Sequence, residues 1–249
     1  MRKFGLIGYP LGHSFSKKFF TKKFSKEQIK GCSYENFPLK NIIQITGLLR
    51  DNDLEGLNVT IPYKSSVIKF LDRIDPEAEK VGAVNVIKIK RTNGKTVLTG
   101  FNSDITGIMA TLSSVLSPEI KNALVLGTGG SSKAVCHVLT KINVHCTLIS
   151  RERKSGCLTY SDINSEIMEN NRLIINTTPL GMYPDTGSKP DLNYDLLGSS
   201  HILFDLVYNP EITSFLKMGK ERGCTILSGI KMLHSQAERS WEIWNSSKF

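Results

Sequence analysis

Residues Asn122 to Val135 read NALVLGTGGSSKAV and carry three local signals in succession. Ala123-Leu124-Val125-Leu126 is an apolar run too short and too sharply bounded for a globular helix, and it predicts a buried strand. Gly127, Gly129 and Gly130 follow at once, where the absence of a Cβ opens backbone angles and close approaches denied to other residues. From Ser131 to about Lys141 a helical pattern takes over. Strand, glycine turn and helix in that order form a phosphate cradle, because the free N–H groups and positive dipole end of the helix face the turn. The spacing is G-x-G-G-x-x-x-A, with Ala134 where a third glycine would allow the closest packing. A purely structural turn satisfies the same residues, so the flanking units have to decide.

Downstream, Val144-His145-Cys146-Thr147-Leu148-Ile149 supplies a second strand at the distance a β-α-β unit requires. An NAD site usually places an acid beyond that strand, against the ribose 2′-hydroxyl. Here the chain reads Ser150-Arg151-Glu152-Arg153-Lys154, and three cations suit a 2′-phosphate. A solvated loop is the alternative, and Glu152 is the residue that speaks for NAD. Further strands are expected at Leu173 to Asn176, Ile202 to Leu206 and Cys224 to Leu227. A last helix, Lys231 to Trp244, sets Leu233, Ala237, Trp241 and Trp244 on one stripe that needs a partner.

Upstream, elements alternate. A strand is predicted at Lys3 to Gly8, then an amphipathic helix with Phe19, Phe20 and Phe24 on its apolar face, and a strand near Tyr34 to Phe37. A helix near Asn41 to Leu49, a strand near Gly56 to Val59 and a helix from Tyr63 to Leu71 follow. This alternation predicts a mainly parallel sheet covered by helices. Ala83 to Lys90 and Lys95 to Thr99 flank Arg91-Thr92-Asn93-Gly94 as a hairpin, which makes the first sheet mixed. A helix from Asp104 to Leu116 leads into the second β-α-β series, so a domain boundary is expected near residue 104.

Composition narrows the classes. The chain has 249 residues, 40% apolar and 22% charged, which is ordinary for a globular protein. Its five cysteines are scattered, without metal-ligand spacing, and are expected as reduced thiols in a cytoplasmic protein, with no metal bound. MRKFGLIGYPLGHS has too few apolar residues before its glycines and proline for a signal peptide, and no run reaches membrane-spanning length. The formal charge of +9 raises the question of nucleic acid. The densest cations, Lys17, Lys18, Lys22, Lys23, Lys26 and Lys30, interleave with phenylalanines at helical spacing and form a wet face, with no nucleic-acid-binding signature beside them. A basic surface that draws in an anionic substrate and cofactor is the simpler reading.

Polar clusters recur at the expected strand ends, where a doubly wound sheet presents side chains to ligands. In Gly8-Tyr9-Pro10-Leu11-Gly12-His13-Ser14-Phe15-Ser16, the two serines either cap a helix or hold a carboxylate, and His13 reads as structural. In Gly56-Leu57-Asn58-Val59-Thr60-Ile61-Pro62-Tyr63-Lys64, the lysine falls in the first turn of an expected helix, where a cation is unfavourable unless it is used. Asn85 is polar within an apolar strand. Asp104 follows Gly100-Phe101-Asn102-Ser103, Asp205 to Pro210 ends a strand, and Gly229 to Gln236 opens the terminal helix.

Taken as an ordered set, HSxS, GxNVTxPxK, the GAxN strand, GxNxDxxG, the GxGG loop, NTTPxGM, DxVYxP and MLxxQ resemble the shikimate dehydrogenase family over nearly the whole chain. The resemblance implies an α/β protein of two domains. A mixed-sheet substrate domain would span 1–103 plus 232–249, the terminal helix crossing back to it, and a Rossmann-type nucleotide-binding domain would span 104–231. It implies NADP as cofactor and reversible reduction of 3-dehydroshikimate to shikimate in aromatic amino-acid biosynthesis. Lys64 and Asp104 would be the catalytic pair. Ser14, Ser16 and Tyr208 would hold the substrate carboxylate, and Thr60, Asn85 and Gln236 its ring hydroxyls. Gly127, Gly129, Gly130 and Ser131 would cradle the pyrophosphate and Arg151 the 2′-phosphate, with Thr177, Met182 and Gly229 around the nicotinamide. The chain departs from the family pattern at Lys17, usually proline, at Phe20, commonly histidine, and at Ser150-Arg151-Glu152, usually Asn-Arg-Thr.

The chemistry suits these residue types. A hydride leaves a secondary alcohol as its hydroxyl proton departs, so a group at that oxygen must take the proton and return it in reduction; Lys64 can do both. Alternatives are a quinate/shikimate dehydrogenase using NAD and a catalytically silent nucleotide-binding sensor. The expected partners are a small-molecule substrate, without nucleic acid or membrane, in a monomer or homodimer.

Overall fold

The computed structural model describes residues 1–11 and 15–247. The chain divides into two compact units, Met1–Ser103 with Ala237–Phe249, and Asp104–Gln236. In the first, β1 (Arg2–Gly8), α1 (Phe15–Lys26), β2 (Cys32–Pro38), α2 (Ile45–Leu48), β3 (Leu54–Val59), β4 (Arg73–Ile74), α3 (Pro76–Val81), β5 (Val86–Thr92) and β6 (Lys95–Phe101) follow one another. The sheet order is β2-β1-β3-β5-β6-β4. β1 pairs in parallel with β2 and β3, and β5 runs antiparallel to β3 and β6, which gives the mixed sheet. The hairpin turns at Asn93 and Gly94, with φ of 52° and 75°, the pair of positive angles that a two-residue turn needs to match strand twist.

Two expected helices differ. Asn41 to Leu49 is a 3-10 turn, Ile42–Gln44, capped reciprocally by Asn41 and Gln44, followed by the short α2. Tyr63 to Leu71 is a turn followed by a 3-10 helix, Ser66–Phe70. The reason is local competition. The Lys64 carbonyl, which an α-helix would offer to Ile68, instead accepts Val84 N at 2.7 Å, and Ile68 N turns to Ser65 O. Consecutive serines and the β-branched Val67 and Ile68 add little helix preference to resist this.

The second unit holds α4 (Asp104–Leu112), β7 (Asn122–Leu126), α5 (Gly130–Lys141), β8 (His145–Ser150), β9 (Cys157–Thr159), α6 (Ser165–Asn170), β10 (Leu173–Asn176), β11 (Ile202–Asp205), α7 (Ser214–Glu221), β12 (Thr225–Leu227) and the first turns of α8 (Ile230–Asn245). All six strands are parallel in the order β12-β11-β10-β7-β8-β9. β7 and β10 have no exposed residue, as expected of strands covered on both faces. Cys136 on α5 and Cys146 on β8 form a disulfide with Cα atoms 5.8 Å apart, so the expectation of five reduced thiols is corrected for this pair. The crossover that lays α5 beside β8 brings them together; Cys32, Cys157 and Cys224 are free.

The stripe on α8 finds its partner. Ala237, Trp241, Ile243 and Trp244 pack with Phe4, Phe20, Phe24 and Tyr34 of the first unit, and Trp244 Nε1 donates to Ile87 O at 3.0 Å. Gly56 makes room, since a Cβ there would lie 2.3 Å from the Trp244 ring. Lys88 closes the helix end, its ammonium donating to the carbonyls of Ile243 and Ser246 where the helix dipole is negative. No helix among the described residues is long and apolar enough to cross a membrane.

Candidate active site

In the first unit the chain leaves β1, pairs β2 on one side and returns to pair β3 on the other. The carboxyl ends of β1 and β3 therefore open a crevice of the kind that takes ligands in α/β sheets. At these ends lie Gly8 and the segment Thr60 to Lys64. Thr60 N donates to Ile7 O at 2.9 Å, and a Cβ on Gly8 would lie 2.4 Å from Thr60 Cγ2, so the glycine lets the threonine side chain lie against it. The Tyr63 phenol donates to Leu39 O at 2.6 Å and pins the turn. Lys64 is half-buried in that turn, ahead of the 3-10 helix. The expectation that it opposes a helix dipole is therefore corrected.

Behind this edge runs a buried chain of polar side chains. Ser16, on the first turn of α1, bonds the Tyr34 phenol, whose pKa burial pushes far up. That phenol donates to Asn58 Oδ1 at 2.8 Å. Asn58 Nδ2 donates to Ser240 Oγ at 2.9 Å and to Asn85 O at 3.3 Å. The hydroxyls of Ser240 and Ser103, both fully buried, lie 3.2 Å apart. Ser103 N then donates to Asn85 Oδ1 at 2.7 Å. A backbone N–H is a donor only, so this last bond fixes which way the Asn85 amide points: its oxygen faces Ser103 N, and its NH₂ donates to Ser103 Oγ at 3.1 Å.

In the second unit the switch falls between β7 and β10, since β8 lies on one side of β7 and β10 on the other. Gly127, at the tip of β7, has φ of 109°, and a Cβ on it would lie 2.8 Å from Thr177 Oγ1. Thr177 itself donates its hydroxyl to Leu126 O at 2.6 Å. Gly129 is the N-cap of α5 and contributes no side-chain cap to the helix start. Nothing among the described residues comes within 4 Å of a Cβ built on Gly129. Ser131 sits half-buried on the first turn. Past β8, Arg151 and Glu152 are exposed, Arg153 pairs with Asp162 at 3.3 Å, and Lys154 reaches Thr128 Oγ1 at 3.5 Å.

Gly229 is pressed against the loop after β11: a Cβ there would lie 2.4 Å from Leu206 O. Tyr208 is half-buried in that loop, and Met182 is 40% exposed in the loop after β10. Asp104 begins α4 and is 1% exposed, while Gln236 is half-buried on α8.

A model of the shikimate dehydrogenase substrate binding domain matches residues 6–87. Shikimate dehydrogenase (NADP(+)) of Clostridium beijerinckii is 38% identical, over 98% of this chain and 92% of its own. The enzyme of the same name from Methanococcus aeolicus is 35% identical over the same shares. The chain belongs to the shikimate dehydrogenase family. The solved shikimate 5-dehydrogenase of Thermus thermophilus in complex with NADP(H) and shikimate, 28% identical, superposes with a TM-score of 0.85 over 98% of this chain and 94% of that one.

Against the family's motifs, the structure joins Ser16 to Asn85 through the buried chain, sets Gly127 against Thr177, and sets Gly229 beside the loop of Tyr208. Thr60 and Lys64 lie in consecutive turns after β3, closed by Tyr63 N on Thr60 O and by Val67 N on Tyr63 O. Ser14 and His13 lie outside the described residues. Sequence reasoning missed Tyr34, Asn58, Ser103 and Ser240. Asn58 and Ser103 stood inside quoted motifs as polar residues among apolar neighbours, which was a usable signal; Tyr34 and Ser240 gave none.

Proposed function

We propose that the chain catalyses the reversible NADP-dependent oxidation of shikimate to 3-dehydroshikimate. The observation that carries this is near-full-length similarity to relatives named shikimate dehydrogenase (NADP(+)). The cofactor's fit is supported by the glycine cradle, because Gly129 leaves open space at the uncapped start of a twelve-residue helix. Gly127, Gly129, Gly130 and Ser131 would hold the pyrophosphate there, with Thr177, Met182 and Gly229 at the nicotinamide. Arg151, engaged in no hydrogen bond or ion pair with the described residues, would take the 2′-phosphate. When bound, NADP supplies the hydride acceptor.

In this reading the residues of the chain hold the substrate and move its proton. Ser14, Ser16 and Tyr208 would bind the carboxylate. Thr60 and Gln236 would bind ring hydroxyls, and Asn85 would donate to one, since its oxygen already accepts from Ser103. Lys64 would take the hydroxyl proton during oxidation and return it during reduction, with Asp104 as its orienting carboxylate. The domain of 1–103 with 232–249 would serve the substrate, and 104–231 the cofactor. A cytoplasmic monomer or homodimer that binds neither nucleic acid nor membrane completes the proposal. On α1, Lys17 pairs with Glu35, and Lys23 with Glu27 and Glu238, which leaves a solvated rather than a grasping face.

A second reading, NAD as cofactor, is favoured by one observation: Arg153 and Lys154 are engaged within the protein while Glu152 is exposed beside Arg151. Following reduced-nicotinamide absorbance with shikimate and each cofactor at equal concentration tests both. Faster turnover with NADP supports the proposal, a preference for NAD selects the second reading, and no turnover with either removes both.

A further inference from the structure

The carboxylate of Asp205 is fully buried, and neither the proton nor the hydride transfer uses it. An ionisable group without water is costly unless its partners are numerous and well placed, and here they are. Oδ1 accepts from Asn176 Nδ2 at 3.0 Å and from Val207 N at 2.9 Å, and Oδ2 accepts from Thr213 Oγ1 at 2.6 Å. Asn176 in turn accepts from Thr178 N at 3.0 Å and from the Thr178 hydroxyl at 2.7 Å, and that hydroxyl accepts from Leu180 N at 3.3 Å. Bonds from one side chain thus reach two loops, 177–183 after β10 and 206–213 after β11.

The two loops also touch directly. Tyr183 N donates to Asn209 O at 3.0 Å. Gly181, at φ of 84°, lies so close to α7 that a Cβ on it would be 3.2 Å from Thr213 Cβ. The first loop carries Thr177 and Met182, and the second carries Tyr208.

We propose that Asp205 is a positioning residue that locks the loop meeting the nicotinamide to the loop meeting the substrate carboxylate, so that the grip on both ligands depends on one buried side chain. The assignment of ligands rests on the proposed dehydrogenase reading; the lock itself does not. A carboxylate suits the task because it accepts several charge-assisted bonds at fixed angles, which a shorter or apolar side chain cannot. Loss of a buried acceptor that serves both loops lets each sample other conformations, and the binding-competent fraction falls for both ligands together.

The test compares Asp205→Ala, Asp205→Asn and a core control, Ile174→Val, in the full chain. Asp205→Ala is expected to raise KM for NADP and for shikimate by about tenfold each, with kcat changed much less. Asp205→Asn keeps an oxygen for Val207 and Asn176 and is expected to recover most of that loss. Ile174→Val is expected to lower thermal stability while leaving both KM values as they are. A rise in only one KM, no rise in either, or the same rise in Ile174→Val overturns the proposal. Hydrogen exchange without ligands separates the lock from the assignment: in Asp205→Ala the amides of 177–183 and 206–213 should exchange faster together. Wild-type protein inactive on shikimate would sink the dehydrogenase reading, whereas unchanged exchange in both loops would sink the lock. Should Asp205→Ala fail to fold, the same exchange comparison on Asp205→Asn decides, with both loops expected near wild-type protection and independent loosening of one loop counting against the lock.

Discussion

Both units open a crevice at a switch in strand order, yet they furnish it by opposite means. At the β7 and β10 tips the furnishing is backbone: glycines, an uncapped helix start, a threonine hydroxyl bonded to a main-chain oxygen. At the β1 and β3 tips it is side chains, oriented from behind by a chain of phenol, amides and hydroxyls. The difference follows from what each crevice would hold. A pyrophosphate offers only acceptors, so main-chain N–H groups suffice. A polyhydroxylated ring offers donors and acceptors in a fixed pattern, and only side chains of settled orientation can match it.

The comparison is tested hardest at Lys64. If the first unit supplies the chemistry through side chains, Lys64→Ala should lower kcat by ~10²–10⁴ with modest change in either KM, the usual worth of a general acid–base group. Unchanged turnover, read by absorbance of reduced cofactor, would remove Lys64 from the mechanism.

The glycines sharpen the other side. Gly127→Ala places a Cβ at a positive φ and against Thr177, so it should cost about 1–3 kcal/mol of stability as well as cofactor affinity. Gly129→Ala meets nothing among the described residues, and its φ of −87° is ordinary for any residue. It should leave the melting temperature alone and raise KM for NADP by about tenfold, because the methyl fills the cradle rather than the protein. Equal melting losses in the two variants would refute a cradle open at Gly129.

This contrast also explains what was legible in the sequence. The strand, glycine turn and helix at Asn122 to Val135 appear as β7, turn and α5, because the local code and the tertiary use coincide. The segment Tyr63 to Leu71 misled, since its helix-like apolar spacing was overridden by a hydrogen bond from Val84, twenty residues away in sequence, which nothing local announces. α3 escaped notice although its signals are complete, with Asp75 as N-cap, Pro76 following and Gly82 in the left-handed region; at six residues it is too short for periodicity to register. Ser240 is invisible for another reason. On an amphipathic helix it looks like a tolerated small residue, and its role depends on Asn58 and Ser103, which only the fold brings to it.

Burial of Asp205 allows a pH test within the second unit. Desolvation raises its pKa to about 6 from 3.8, against the opposing bonds from Thr213, Val207 and Asn176. Between those values the folded state holds a proton that the unfolded state has lost, so this group's contribution to stability falls as pH rises from about 4 to 6 and is level above. The shift corresponds to an order of 2–3 kcal/mol. Subtracting the pH profile of denaturation for Asp205→Asn from that of wild type should isolate this fall. A difference that does not change with pH, or that rises, would mean the carboxylate is not desolvated as the structure has it.

The smallest expected effect is the most direct test of the side-chain rule. Ser240→Ala removes one hydroxyl from the buried chain, leaving Asn58 Nδ2 with the weaker bond to Asn85 O and Ser103 Oγ without that neighbour. A net loss of about 1 kcal/mol is the usual scale for one such bond. Since Ser103 N still holds Asn85 Oδ1, the amide keeps its direction and loses only rigidity. KM for shikimate should therefore rise about threefold, less than the tenfold that 1.4 kcal/mol would give, while KM for NADP stays put. If NADP affinity moved in step, Ser240 would be acting through general stability, and the division between a crevice built of side chains and one built of backbone would lose its energetic meaning.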